Sequence, residues 1–75
     1  MAGAFVLLTV DLGTEESVLR SLRTIEGVKW AHQVFGVYDI IAKIEDETTD
    51  GVKEVLQQKV RRLRNVRNTI TLMVV

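Results

Sequence analysis

The residues whose types and spacing suggest chemistry lie in Val34-Phe35-Gly36-Val37-Tyr38-Asp39. A glycine turn here would let the backbone come close to a ligand, with turn N–H groups available to a carboxylate. Asp39 could hold an ammonium through a charge-assisted hydrogen bond, with the Tyr38 phenol beside it. The pattern describes a cradle for a small zwitterion rather than a place where bonds are made. The plainer reading is a hairpin glycine, an interface tyrosine and an aspartate that caps a turn. Thr69 and Thr71 add two hydroxyls on one face of a strand. They could donate to a ligand reaching in from a neighbouring subunit, or simply reflect the β-propensity of threonine.

Other candidate groups are weaker. Arg61, Arg62, Arg64 and Arg67 are basic and close together, but the four aromatic residues, Phe5, Trp30, Phe35 and Tyr38, lie outside the cluster. Single-strand nucleic-acid binding needs stacking platforms, so a helix C-terminus favouring positive charge explains the arginines better. His32 is the only histidine and has no cysteine or second histidine with which to hold a metal. Glu45-Asp46-Glu47 lacks the spacing of a calcium loop. There is no phosphate loop, serine elbow or catalytic carboxylate pair, and no cofactor is expected.

The chain has 75 residues, ten basic and ten acidic, with no cysteine and no proline. The charge balance gives no general pull towards nucleic acid or an anionic membrane. The longest apolar run, Ala4 to Leu8, is far short of the ~20 residues that span a bilayer. No basic residue precedes it, as a signal peptide would require. A soluble cytoplasmic protein made of one domain, 1–75, is expected.

The elements that must position these residues follow from the apolar pattern. Ala4 to Val10 reads as a first strand. Thr14 is placed to cap a helix with Val18, Leu22 and Ile25 as its buried stripe, Glu16 and Arg20 paired on its surface, and Gly27 at its end. Strand two is expected at Val28 to Phe35, Gly36 as a tight turn, and strand three at Val37 to Glu45. A second helix follows Thr48, Thr49 and Asp50, with Val52, Leu56, Val60 and Leu63 as its stripe and Val55 alongside. Asn65 takes the place of Gly27, and strand four runs from Arg67 to Val75.

Leu22-Arg23-Thr24-Ile25-Glu26-Gly27-Val28-Lys29 aligns with Val60-Arg61-Arg62-Leu63-Arg64-Asn65-Val66-Arg67. Two βαβ units with right-handed crossovers place both helices on one side of one sheet. The fold class is therefore α+β, a ferredoxin-like βαββαβ with a four-stranded antiparallel sheet.

Two helices cover one face only, yet both faces of the sheet are apolar. Strand one offers Ala4, Val6, Leu8 and Val10 to one side and Phe5, Leu7 and Thr9 to the other. Strand four offers Ile70, Leu72 and Val74 against Thr69, Thr71, Met73 and Val75. A bare face of roughly 350 Å² in projection matches the largest apolar patches of soluble monomers. A 75-residue domain also buries only ~60% of its unfolded surface. Both considerations predict a homodimer packed sheet to sheet.

The whole chain resembles the effector-binding domain of the Lrp/AsnC regulators of amino-acid metabolism, the RAM domain. The resemblance rests on Ala4-Phe5-Val6-Leu7, Ile25-Glu26-Gly27-Val28, Val34-Phe35-Gly36-Val37-Tyr38-Asp39-Ile40-Ile41 and Val66-Arg67-Asn68-Thr69-Ile70-Thr71-Leu72. It implies dimers formed through the sheets and assembled into rings, commonly octamers, with an amino acid at the contact between dimers. The matching positions are Val34, Gly36, Tyr38 and Asp39, with Thr69 and Thr71 of an adjoining subunit. Family regulators carry a helix-turn-helix domain before this region, whereas here Met1-Ala2-Gly3 leads directly into strand one. A stand-alone module without direct DNA contact is expected, acting through a partner such as a full-length regulator. Three rivals remain at this point. An ACT-type regulatory domain would bind near Gly13 and Thr14. A small dimeric α+β-barrel enzyme would need polar groups between sheet and helices. The third is a purely structural oligomer.

Overall fold

A computed structural model describes all residues from Met1 to Val75. Strand β1 spans Ala2–Val10, helix α1 Glu15–Arg23, β2 Val28–Gln33, β3 Ile40–Asp46, α2 Thr49–Val55 and β4 Val66–Met73. The sheet order is β2-β3-β1-β4, and every pairing is antiparallel. This is the expected ferredoxin-like fold, with β1 and β3 central and β2 and β4 at the edges.

Alternation along the strands divides the sheet. Ala4, Val6 and Leu8 of β1 and Ile40, Ala42 and Ile44 of β3 are fully buried beneath the helices. Val18 and Leu22 of α1 and Val52 and Val60 after it meet them. Ile25 and Leu63 lie past their helices and pack against this core only in part. The buried set contains no polar or charged side chain. No helix is long and apolar enough to cross a membrane.

Several boundaries differ from the sequence reading, each for a local reason. Thr14 flanks α1 but does not cap it, because its hydroxyl donates to the Asp11 carbonyl at 2.6 Å. Thr48 does cap α2, its Oγ1 accepting from the Gly51 N–H at 3.0 Å. The second helix changes form midway into a π-helical turn over Leu56–Val60, closed by the Arg61 N–H on the Leu56 carbonyl at 3.0 Å. β2 ends at Gln33 rather than Phe35, and β3 begins at Ile40 rather than Val37. The expected tight turn at Gly36 is therefore a six-residue loop, 34–39. β4 spans Val66–Met73, short of the expected Val75.

The internal repeat has a structural counterpart. α1 ends at Arg23, so Gly27 stands beyond the helix proper rather than closing it. Gly27 has φ +102°, and Asn65, its equivalent, has φ +71°. The Glu45 N–H at the end of β3 donates to the Gly27 carbonyl, and the Asp11 N–H after β1 donates to the Asn65 carbonyl, both at 2.9 Å. Each half of the chain thus fastens the end of the other half's central strand. A Cβ on Gly27 would meet Val55 Cγ2 at 3.2 Å in a backbone region that side chains rarely adopt. Gly27→Ala is expected to cost about 1–2 kcal/mol, lowering the melting midpoint by about 5–15 °C. Asn65→Gly, which relieves the same constraint, should leave the midpoint unchanged or raise it.

Candidate functional site

Asp39 fixes the geometry of the loop between β2 and β3. Its N–H donates to the Leu8 carbonyl at 2.9 Å, and its carbonyl accepts from the Val34 N–H at 2.8 Å. Its carboxylate Oδ2 accepts from the Val10 N–H at 2.9 Å. β3 has begun only at Ile40, so the side chain supplies the acceptor that a longer strand would have given Val10. One residue, just before β3, thereby ties β1 to the segment that leaves β2. The carboxylate keeps acceptor capacity after this bond, since two oxygens offer about four lone-pair positions.

Above that knot the loop is bare. Phe35 is 98% exposed and Val37 84% exposed, on either side of Gly36 at φ +144°. No atom lies within 4 Å of where a Gly36 Cβ would stand, so this glycine answers to backbone conformation alone. Val34 and Tyr38 are half-buried. Leu12, in the loop after β1, is also almost fully exposed. The sequence reading passed over Leu12, although an apolar residue between Asp11 and Gly13 was its available signal.

Thr69 and Thr71 point to the helix side of β4, since they pair with Leu8 and Val6 of β1. Leu8 also pairs with Ile40 of β3. The base of the 34–39 loop and Thr69 therefore flank β1 from opposite sides, about 10 Å apart at two strand spacings. Within one chain they do not close on a common cavity. Thr69 lines a shallow groove with Arg61 and Arg67, and Thr71 lines another with Leu56, Arg61 and Met73. Arg61 thus belongs beside both threonines, a position its reading as a helix-end charge missed.

The opposite face of the sheet is uncovered. Ile70, Leu72 and Val74 are exposed, Leu72 at 53%, while Phe5, Leu7 and Ile41 are half-buried only by their neighbours. The Phe5 and Trp30 rings lie 6.1 Å apart, and Trp30 stacks on His32 at 5.3 Å. Lys43 holds its Nζ 4.2 Å above the Phe5 ring. His32 is thus a strand residue on an open apolar face. No group of three or more His, Asp or Glu side chains gathers as a metal site.

The βαββαβ domain thus leaves one apolar sheet face open and the 34–39 loop exposed. A family model described as the Lrp/AsnC ligand binding domain matches residues 3–75, so the chain belongs to that family. The chain is 31% identical over 72 residues to an uncharacterized HTH-type transcriptional regulator of Pyrococcus furiosus. That match takes in 92% of this chain and 48% of the relative, so the chain spans about half the relative's length. A hypothetical protein of Pyrococcus horikoshii superposes with a TM-score of 0.94 at 31% identity, over 100% of this chain and 90% of its own. A transcriptional regulator of Neisseria meningitidis, solved as an L-Met complex, superposes with a TM-score of 0.86. At 13% identity, over 99% of this chain and 49% of its own, that likeness concerns fold. The family is one of transcriptional regulators rather than enzymes, which decides against the α+β-barrel enzyme and the ACT-type reading.

Proposed function

We propose that the chain is the effector-binding module of a cytoplasmic regulatory system and takes an α-amino acid where two subunits meet. The observation that carries this reading is the 34–39 loop, pinned at its base by Asp39 and bare at Phe35 and Val37. A loop so fixed and so exposed is shaped for an occupant that the single chain does not supply. In this reading Asp39 takes the ammonium on its remaining acceptor positions, and Gly36 lets the carboxylate reach backbone N–H groups. Val34 and Tyr38 form the wall, and Thr69 and Thr71 of an adjoining subunit close the site. The separation of loop and threonines within one chain, about 10 Å at two strand spacings, favours this shared arrangement. The L-Met complex of the Neisseria regulator supports an amino acid as the ligand class.

Assembly follows from the open sheet face, which a second copy covers to form a dimer. Dimers then meet through their loops to form a ring, an octamer in the simplest case. The same face would admit a full-length regulator as a mixed partner, so that the module senses and the regulator contacts DNA. Thermal melting against the twenty amino acids at millimolar concentration tests the ligand class. A ligand bound only by the folded state at 100 times its Kd adds ~2.7 kcal/mol, and a raised midpoint with one chemical group of amino acids is expected. A flat response across all twenty would leave the purely structural oligomer as the better account.

A further inference from the structure

The two edges of the sheet are built differently. β2 breaks register between Val28 and Trp30. The guanidinium of Arg23, on α1, donates to the Ala31 carbonyl of that edge at 2.7 Å. A bulge and a covering charge are the usual means of preventing a strand edge from pairing. β4 carries neither from Asn68 to Met73, where the register runs unbroken and no residue is charged or proline.

The ladder shows which groups of β4 are free. The Val74 N–H donates to the Gly3 carbonyl at 2.9 Å. In an antiparallel ladder, residues alternate between facing the partner and facing away, so Leu72 and Ile70 also turn their backbone groups to β1. Thr69, Thr71 and Met73 turn theirs outward. Their side chains are only half-buried, whereas Ala4, Val6 and Leu8, beside them on β1, are fully buried. α1 packs across β2 and β3, but α2 packs on β3 and β1 and leaves a groove along β4. The groove holds about 320 Å³ and is lined by Lys53, Leu56, Gln57, Arg61, Thr71 and Met73. The π-helical turn supplies Leu56 and Gln57, and Arg61 closes it.

We infer that the β4 edge is a docking site for an extended peptide segment of a partner protein, added as a fifth strand. Main-chain pairing to Thr69, Thr71 and Met73 would supply the affinity, and alternate side chains would enter the groove. The floor of Leu56 and Met73 selects apolar residues, and Lys53 and Arg61 select a carboxylate flanking them. The charge pattern favours such a segment over β4 of a second copy, which brings no acidic residue between Asn68 and Val75. This inference stands on the strand edge and does not require an amino acid at the 34–39 loop; where an adjoining subunit's loop meets Thr69 and Thr71, that loop and the peptide are alternative occupants.

The test uses the full chain and a fluorescein-labelled heptapeptide, Asp-Val-Thr-Val-Thr-Val-Asp, followed by anisotropy and by amide hydrogen exchange. Saturable binding is expected, with exchange at Thr69, Thr71 and Met73 slowed at least about tenfold and exchange along the β2 edge unchanged. A peptide with its central valine replaced by proline should lose binding, because one ladder bond is removed. Arg61→Glu, an exposed substitution that spares the core, should weaken binding about tenfold. Absence of binding at millimolar peptide would overturn the inference. So would binding without slowed exchange at those three amides, or their protection without peptide in proportion to protein concentration, which would mean that a second copy closes the edge.

Discussion

Leu72→Asp is expected to break the proposed sheet-to-sheet dimer into folded monomers. Leu72 lies on the uncovered sheet face, across from Phe5 on β1, and is 53% exposed in the single chain. The substitution therefore removes little packing from a lone subunit. In a sheet-to-sheet dimer the same position is sealed, and the short aspartate stem cannot carry its charge out to water. Lys43, the cation near the middle of that face, is held over the Phe5 ring on the neighbouring strands. An uncompensated buried charge costs about 3–5 kcal/mol, and two enter each dimer. The dimer dissociation constant should rise by at least about 100-fold, read by sedimentation equilibrium at micromolar concentration. Circular dichroism should retain the helix and strand signals. A wild-type protein that sediments as a monomer, or a variant that assembles as the wild type does, would place the interface elsewhere.

Asp39 carries the second large expectation, and two substitutions there should behave differently. Asp39→Ala removes the acceptor of the Val10 N–H. Leaving a buried donor unsatisfied costs about 1–3 kcal/mol, enough to lower the midpoint by roughly 5–20 °C. Loss of ligand binding in that variant would therefore mix damage to the fold with damage to the site. Asp39→Asn keeps an amide oxygen where Oδ2 stands and removes only the negative charge. Its midpoint without ligand should stay within a few degrees of wild type, while the rise caused by an amino acid should disappear. If Asp39→Asn retains that rise, the carboxylate serves the fold alone and the ammonium is held elsewhere.

The contrast at Asp39 shows where sequence reasoning succeeds and where it stops. The pairing of Asp39 with Val10 joins residues 29 positions apart, and no local pattern announces it. The spacing of Val34 to Asp39 predicts a tight hairpin because Val37 and Tyr38 suit a strand. The aspartate instead ends the ladder, and the strands stop two or three residues early. Gly27 and Asn65 were legible because a left-handed turn restricts residue type locally. The two faces of β1 were legible because the side-chain period of a strand is two. The π-helical turn had no such signature. Its extra residue is accommodated by tertiary packing of Leu56 and Val60, both buried. The threonines were placed on the correct strand and share one face. Their distance from the loop depends on sheet order, which no local pattern states and the strand pairing fixes.

Whether the ligand site is shared between subunits is tested most directly by a mixing experiment. Asp39→Asn disables the loop half of the site, and Thr71→Val, nearly equal in volume, disables the strand half. Each variant alone should fail to bind the amino acid that most raises the wild-type midpoint. The two are then unfolded together, refolded as a mixture and titrated by calorimetry. If the loop of one subunit meets the threonines of another, random assembly leaves about a quarter of the sites with both halves intact. Binding at about a quarter of the wild-type stoichiometry, with wild-type affinity, is the expected result. A mixture as inactive as either parent would mean that loop and threonines act within one chain, or not in one site at all, and would contradict the account.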